Sequence, residues 1–163
     1  MEWACSGSSA TINALPTTNK YGERRMKARI KWVEAVSFLG ETGSGHAVLM
    51  DGPPEGGGRN LGPRPMEMVL LGTGGCTTYD VIHILKKGRA DVRDCVVEID
   101  SERADSDPKV FTKIHFHFIV TGKGLKPEVV KRAIDLSAEK YCSASIMLGK
   151  MADITHDFEI VEI

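Results

Sequence analysis

Thiols are the side chains here with the most chemistry to offer. Of the four cysteines, Cys5, Cys76, Cys95 and Cys142, two stand in distinctive segments. Cys76 lies in Gly74-Gly75-Cys76-Thr77 within an apolar stretch, and Cys142 ends the run Glu139-Lys140-Tyr141-Cys142. A thiolate attacks peroxides and disulfides and binds metals, whereas a buried thiol packs as a small inert hydrophobe. The second fate is the commoner, so residue type alone leaves both roles open. No Cys-x-x-Cys pair occurs, and four scattered thiols are too few for a disulfide-stapled secreted scaffold.

Histidine and glycine offer less. His83 shares a helix face with Cys76, but about 10 Å of helical rise separates them, too far for a direct base. His115 and His117 alternate onto one strand face and could hold a metal with a third ligand; a polar strand face is the plainer reading. Gly72, Gly74 and Gly75 lack the Gly-Lys-Ser/Thr ending of a phosphate loop and do not open a helix. Inside a helix each costs about 1 kcal/mol relative to alanine, so together they predict a close backbone approach at that turn.

With 163 residues, 42% hydrophobic and 26% charged, the chain has the size of one ordinary domain. Its 21 basic and 22 acidic side chains give a net charge of -1 with no basic cluster, which argues against a nucleic-acid partner. No uninterrupted apolar run approaches the roughly 18 residues of a membrane span. Nor does a basic start followed by an apolar run mark a signal peptide. A soluble, cytoplasmic protein with no membrane partner is expected.

The elements that must position the thiols can be read in order. Residues 1–25 mix Ser6, Ser8, Ser9, Thr11, Thr17 and Thr18 with small residues and read as a disordered tail. Met26, Ala28, Ile30 and Trp32 alternate with Lys27, Arg29 and Lys31, the period-two mark of a half-buried strand. Short strands are expected near 37–40 and over 46–51, with a turn at 42–45 between them. A glycine- and proline-rich loop then ends at Pro65, a favoured first helical position. From there to Lys87 apolar residues lie on nearly all sides, including Met68, Leu71, Val81, Ile82 and Leu85, which predicts a central helix buried all round.

Cys95, Val97 and Ile99 alternate in a fourth strand, paired as a hairpin with a fifth over 110–121. A helix from Pro127 to about Tyr141, a short helical piece over 143–151 and a strand over 154–161 complete the chain. The order βββ, α, ββ, αα, β describes an α+β domain with mainly antiparallel sheets around a long central helix.

Set on these elements, the cysteine segments resemble the OsmC/Ohr family. Pro65-Met66-Glu67-Met68, Gly74-Gly75-Cys76 and Ser137-Ala138-Glu139-Lys140-Tyr141-Cys142-Ser143 look most like its YhfA-like branch, and the likeness covers Met26 to Ile163. The resemblance implies a single OsmC-like domain over 26–163 and an intertwined homodimer. It also implies a thiol peroxidase that reduces small organic hydroperoxides in oxidative stress defence. On that pattern Cys76 is the attacking thiolate and Cys142 the resolving thiol, a dithiol is the reductant, and neither cofactor nor metal is expected. A sulfenic acid on the first sulfur would condense with the second to a disulfide.

The activating groups depart from the family. Its peroxidases hold the attacking thiol ionised with an arginine from the early hairpin and a glutamate directly after the proline. Here Met66 follows Pro65, and Val36-Ser37-Phe38-Leu39-Gly40-Glu41 contains no cation. Glu67 falls about 180° around the helix from Cys76 and cannot substitute. The helix dipole fades within the first turn, whereas Cys76 lies about 16 Å beyond Pro65. Asp80, one turn after Cys76 on the same face, opposes ionisation. Activity is therefore expected to be weak beside members with the full pair. The alternative is a binding or sensing protein that holds a small apolar ligand in a cleft at the dimer interface.

Overall fold

A computed structural model describes residues 26–163; the tail expected over 1–25, with Cys5, lies outside the described residues. The chain divides between Pro63 and Arg64 into two compact units. In the first, β1 (Ala28–Glu34), β2 (Ser37–Thr42) and β3 (Ala47–Met50) form an antiparallel meander in that order. Alternation makes β1 a strand without half-burying it. Ile30 and Trp32 are 59% and 65% exposed.

One buried carboxylate organises the loop that follows. Asp51 accepts the Ser37 hydroxyl at 2.8 Å and the backbone N–H groups of Gly52, Arg59 and Leu61 at 2.8, 3.0 and 3.1 Å. The loop folds so tightly that a Cβ on Gly58 would meet the Gly52 carbonyl oxygen at 2.0 Å. These donors, the Leu61 amide foremost, hold the Asp51 carboxyl at about 2 instead of its ordinary 3.8, against the opposing effect of desolvation. A carboxyl depressed on folding stabilises fully above its unfolded pKa, so this support is complete above about pH 4 and disappears as the pH falls through about 2. The Arg59 and Leu61 amides should therefore be protected from hydrogen exchange at about pH 5 and lose that protection, after correction for intrinsic rates, near about pH 2. Unchanged protection would contradict the role given to Asp51.

The second unit begins with α1 (Pro65–Lys87), where the Arg64 N–H donates to Glu67 Oε2 at 2.8 Å and Pro65 takes the first helical position. Strands β4 (Asp91–Arg103) and β5 (Phe111–Lys123) form the expected hairpin. After α2 (Pro127–Leu136), a π-type turn over Ser137–Tyr141 and α3 (Ser143–Leu148), β6 (Asp153–Glu162) pairs with β5 in parallel. A helical crossover is what a parallel neighbour requires. Both sheets are mostly antiparallel, and the class is the α+β one expected.

Side-chain alternation sends Ile114, Phe116, Phe118 and Val120 to one face of β5. Val81 and Leu85 of α1, with Val130, Ala133 and Ile134 of α2, join them in a core where each is at most 2% exposed. On the opposite face His115 Nδ1 meets Thr155 Oγ1 at 2.8 Å, and His117 pairs with Asp157. The Asp157 carboxylate raises the His117 pKa. The two histidines thus belong to a polar strand face.

The central helix departs from expectation. Thr73, Gly74, Thr77, Val81 and Leu85 are buried, but Leu71 and Tyr79 are 59% and 70% exposed, so the rest of its own unit covers one side of α1. By length and composition α1 could cross a membrane, which no single apolar run in it suggested; its buried stripe belongs to the core of this unit. Of the three glycines, Gly74 is the close approach: a Cβ there would meet Ile99 Cδ1 at 2.6 Å, while Gly72 and Gly75 face open space.

Candidate thiol site

Cys76 stands midway along α1, and Cys142 caps the start of α3. The sequence pattern carries α2 on to Tyr141 as a regular helix. Instead it widens at Ser137, and the Cys142 N–H bonds the Ser137 carbonyl at 2.8 Å, five residues back. Ser137 is buried against α1: its hydroxyl lies 2.9 Å from Thr77 Oγ1 and donates to Asp80 Oδ2 at 3.4 Å. This pins the wide turn to α1 and delivers Cys142 beside Cys76. The two Sγ atoms and a carboxylate oxygen of Asp80 all lie within 4.8 Å of one another.

The two thiols differ in environment. Cys76 is half-buried and Cys142 fully buried. Ser145 donates to Cys142 Sγ from its backbone nitrogen at 3.4 Å and from its hydroxyl at 3.1 Å. Burial pushes the Cys142 thiol up, the Ser145 bonds pull it down, and the neighbouring Cys76 sulfur pushes it up again, for a net rise. Cys142 is thus a protonated thiol lying beside a more accessible one. Within the second unit no cationic side chain hydrogen-bonds to either sulfur; Asp80 is the charged side chain that converges on them.

The remaining candidates lie elsewhere. Cys95 is on the core-facing side of β4 opposite Val120, where burial and then Asp94 push its thiol up to about 11. His83 is exposed and stacks on Tyr79 with ring centroids 6.0 Å apart. Glu67 is engaged at the start of α1, away from the sulfurs along the helix. Sequence reasoning did not single out Thr77, Ser137 or Ser145. For Ser145 a signal exists: it stands three residues after Cys142, where a backbone N–H reaches back to a capping side chain.

Residues 56–157 match the family model described as OsmC-like protein. The chain belongs to the OsmC-like family. It is 55% identical to Protein YhfA of Escherichia coli strain K12 over 136 residues, 83% of this chain and 98% of that one. A hypothetical protein from Aquifex aeolicus VF5 has a solved structure 26% identical to it, with a TM-score of 0.72 over 86% of this chain and 100% of the other. The organic hydroperoxide resistance protein OhrB of Bacillus subtilis is 16% identical, with a TM-score of 0.58 over 83% of this chain and 98% of its own. At that identity the likeness is one of fold. The OsmC-like fold expected from the segments at 65–68, 74–76 and 137–143 is the one observed.

Proposed function

We propose that this OsmC-like protein is a thiol peroxidase for small organic hydroperoxides, with Cys76 attacking and Cys142 resolving. The observation that carries the reading is the convergence of a half-buried and a buried sulfur within 4.8 Å, 66 residues apart in the chain. The Cys76 thiolate attacks the distal peroxide oxygen, the O–O bond breaks, and the alkoxide takes a proton and leaves as the alcohol. The Cys142 sulfur then attacks the sulfenic sulfur. The S–O bond breaks, hydroxide leaves with the Cys142 proton as water, and an external dithiol reduces the disulfide. Ser145 aims the second sulfur, and the raised Cys142 pKa keeps it from competing for peroxide. The fold shared with a hydroperoxide resistance protein supports the choice of substrate class.

Mixing reduced protein with one equivalent of an organic hydroperoxide tests this. One peroxide consumed per chain, faster than hydrogen peroxide, is expected; consumption no faster than by a free small-molecule thiol would contradict it. That second result would favour the ligand-binding reading, which rests on Met66 standing where the family's glutamate would be and on the lack of a cation over 36–41.

The working form in this proposal is a homodimer. Gly72, Gly75 and Tyr79, spaced three and four apart, share a face of α1, where both glycines meet nothing within 4 Å and Tyr79 is 70% exposed. A second copy laid on that face would bury it and wall off an apolar approach to the thiols. Light scattering at micromolar concentration should give twice the chain mass of 17.8 kDa, and a folded particle of one chain mass would contradict it.

A further inference from the structure

We propose that the reduced protein binds one zinc ion between Cys76, Cys142 and Asp80, and that oxidation of the two thiols by hydroperoxide releases it. Zinc binding goes beyond the peroxidase reading and needs only the convergence of three side chains, whereas release by hydroperoxide rests on that reading. A carboxylate beside two thiols contributes nothing to peroxide attack, yet Asp80 offers an oxygen within 4.8 Å of both sulfurs. Besides accepting the Ser137 hydroxyl, Asp80 is placed to act as a metal ligand.

The geometry fits zinc. Cys76 and Asp80 are four residues apart on α1, the spacing that puts two ligands on one helix face, and the π-type turn supplies the third from a second element. Tetrahedral zinc, with Zn–S of about 2.3 Å and Zn–O of about 2.0–2.2 Å, wants its sulfurs about 3.8 Å apart. Closing on the ion therefore takes side-chain movement of at most about 1 Å. Two sulfurs and one carboxylate select zinc over magnesium or calcium, which take oxygen ligands. Three protein ligands leave a fourth position for water or a small thiol. Outer contacts are in place as well: Ser137 donates to Asp80 Oδ2 at 3.4 Å, and Ser145 donates twice to Cys142 Sγ.

Binding holds both sulfurs as thiolates, and with the Asp80 carboxylate the zinc site carries a net charge of about -1. Reaction with a hydroperoxide and two protons gives the disulfide, the alcohol, water and free zinc; the sulfurs lose two electrons and the peroxide gains them. Bound zinc shares the electron pairs that peroxide attack needs, so it slows oxidation of the dithiol without preventing it. Metal and disulfide are thus alternative states of one sulfur pair.

The test uses the whole chain, fully reduced, with cobalt(II) as the spectroscopic probe and zinc as the competitor. One equivalent of cobalt should give thiolate-to-cobalt charge-transfer bands and tetrahedral ligand-field bands, and one equivalent of zinc should bleach them. Protein oxidised beforehand should give neither. Asp80→Asn, which keeps both sulfurs, should bind zinc about tenfold or more weakly. Absence of thiolate bands in the reduced wild type would overturn the proposal even if the variant failed to fold. Equal affinity in a folded Asp80→Asn would overturn it too, as would undiminished binding after oxidation. Peroxide consumption measured in the presence of a chelator keeps the two readings separable. A protein that binds cobalt but consumes no hydroperoxide defeats the peroxidase reading and the peroxide-driven release while leaving the zinc site standing, and one that consumes hydroperoxide but binds no cobalt defeats this proposal alone.

Discussion

Cys76→Ser is expected to reduce hydroperoxide consumption to the rate without protein. A serine hydroxyl is not ionised near neutral pH and has no counterpart to the sulfenic acid, so the attacking step is lost outright. No other described thiol can take over. Cys142 is buried and its pKa raised, and Cys95 is held protonated at about 11 on the core side of β4. Cys142→Ser should behave differently: without added reductant one peroxide per chain is consumed as in the wild type, but the product stays a sulfenic acid on Cys76, which has no neighbouring thiol to condense with. The smaller oxygen can accept the same Ser145 donors, so this variant should remain folded. Measuring peroxide consumed per chain, with a sulfenic-acid trap added, separates the cases. Continued turnover in Cys76→Ser would remove that residue from the mechanism.

The second large effect is on stability. Phe118→Ala should cost about 3–5 kcal/mol, the usual range for truncating a fully buried aromatic side chain. Phe118 is 1% exposed in the cluster that includes Val81 and Leu85 from α1 and Ile134 from α2. Those helices carry Cys76 and the turn that leads into Cys142, so the loss should spread to the thiol site and peroxide consumption should fall as the folded fraction falls. Chemical denaturation followed by circular dichroism measures it. A cost under about 1 kcal/mol would mean that the core closes around the gap or does not bear on this residue.

Much of the fold was legible because it rests on local rules. Pro65 and Lys86-Lys87-Gly88 bracket α1 as a start and a stop, and alternation marks β4, β5 and β6. Where a property depends on a neighbour distant in sequence, the pattern fails. Alternation in β1 predicted half-burial, but Ile30 and Trp32 are open, since a period of two says which residues share a face and not what covers it. The same limit applies to α1, apolar on nearly all sides yet covered along one stripe by the rest of its own unit.

At the site, motif resemblance singled out Cys76 and Cys142, and helix periodicity put Asp80 on the same face as Cys76. That Cys142 lies beside Cys76 was implied by the resemblance alone; residue patterns did not place it, because its position depends on a helix that widens at Ser137. That widening goes with a buried hydroxyl pair, Thr77 with Ser137, joining residues 60 apart in the chain. Nothing in the run Ser137 to Tyr141 distinguishes such a turn from a regular helical end.

The central claim is that Cys76 and Cys142 are partners in one redox step, and mass spectrometry after a single equivalent of organic hydroperoxide tests it most directly. The account predicts that each chain loses the mass of two hydrogen atoms and that proteolysis releases one bridged peptide pair, containing Cys76 and Cys142, which separates on reduction. A dominant bridge through Cys95, or a sulfenic acid on Cys76 that persists with Cys142 free beside it, would contradict the account.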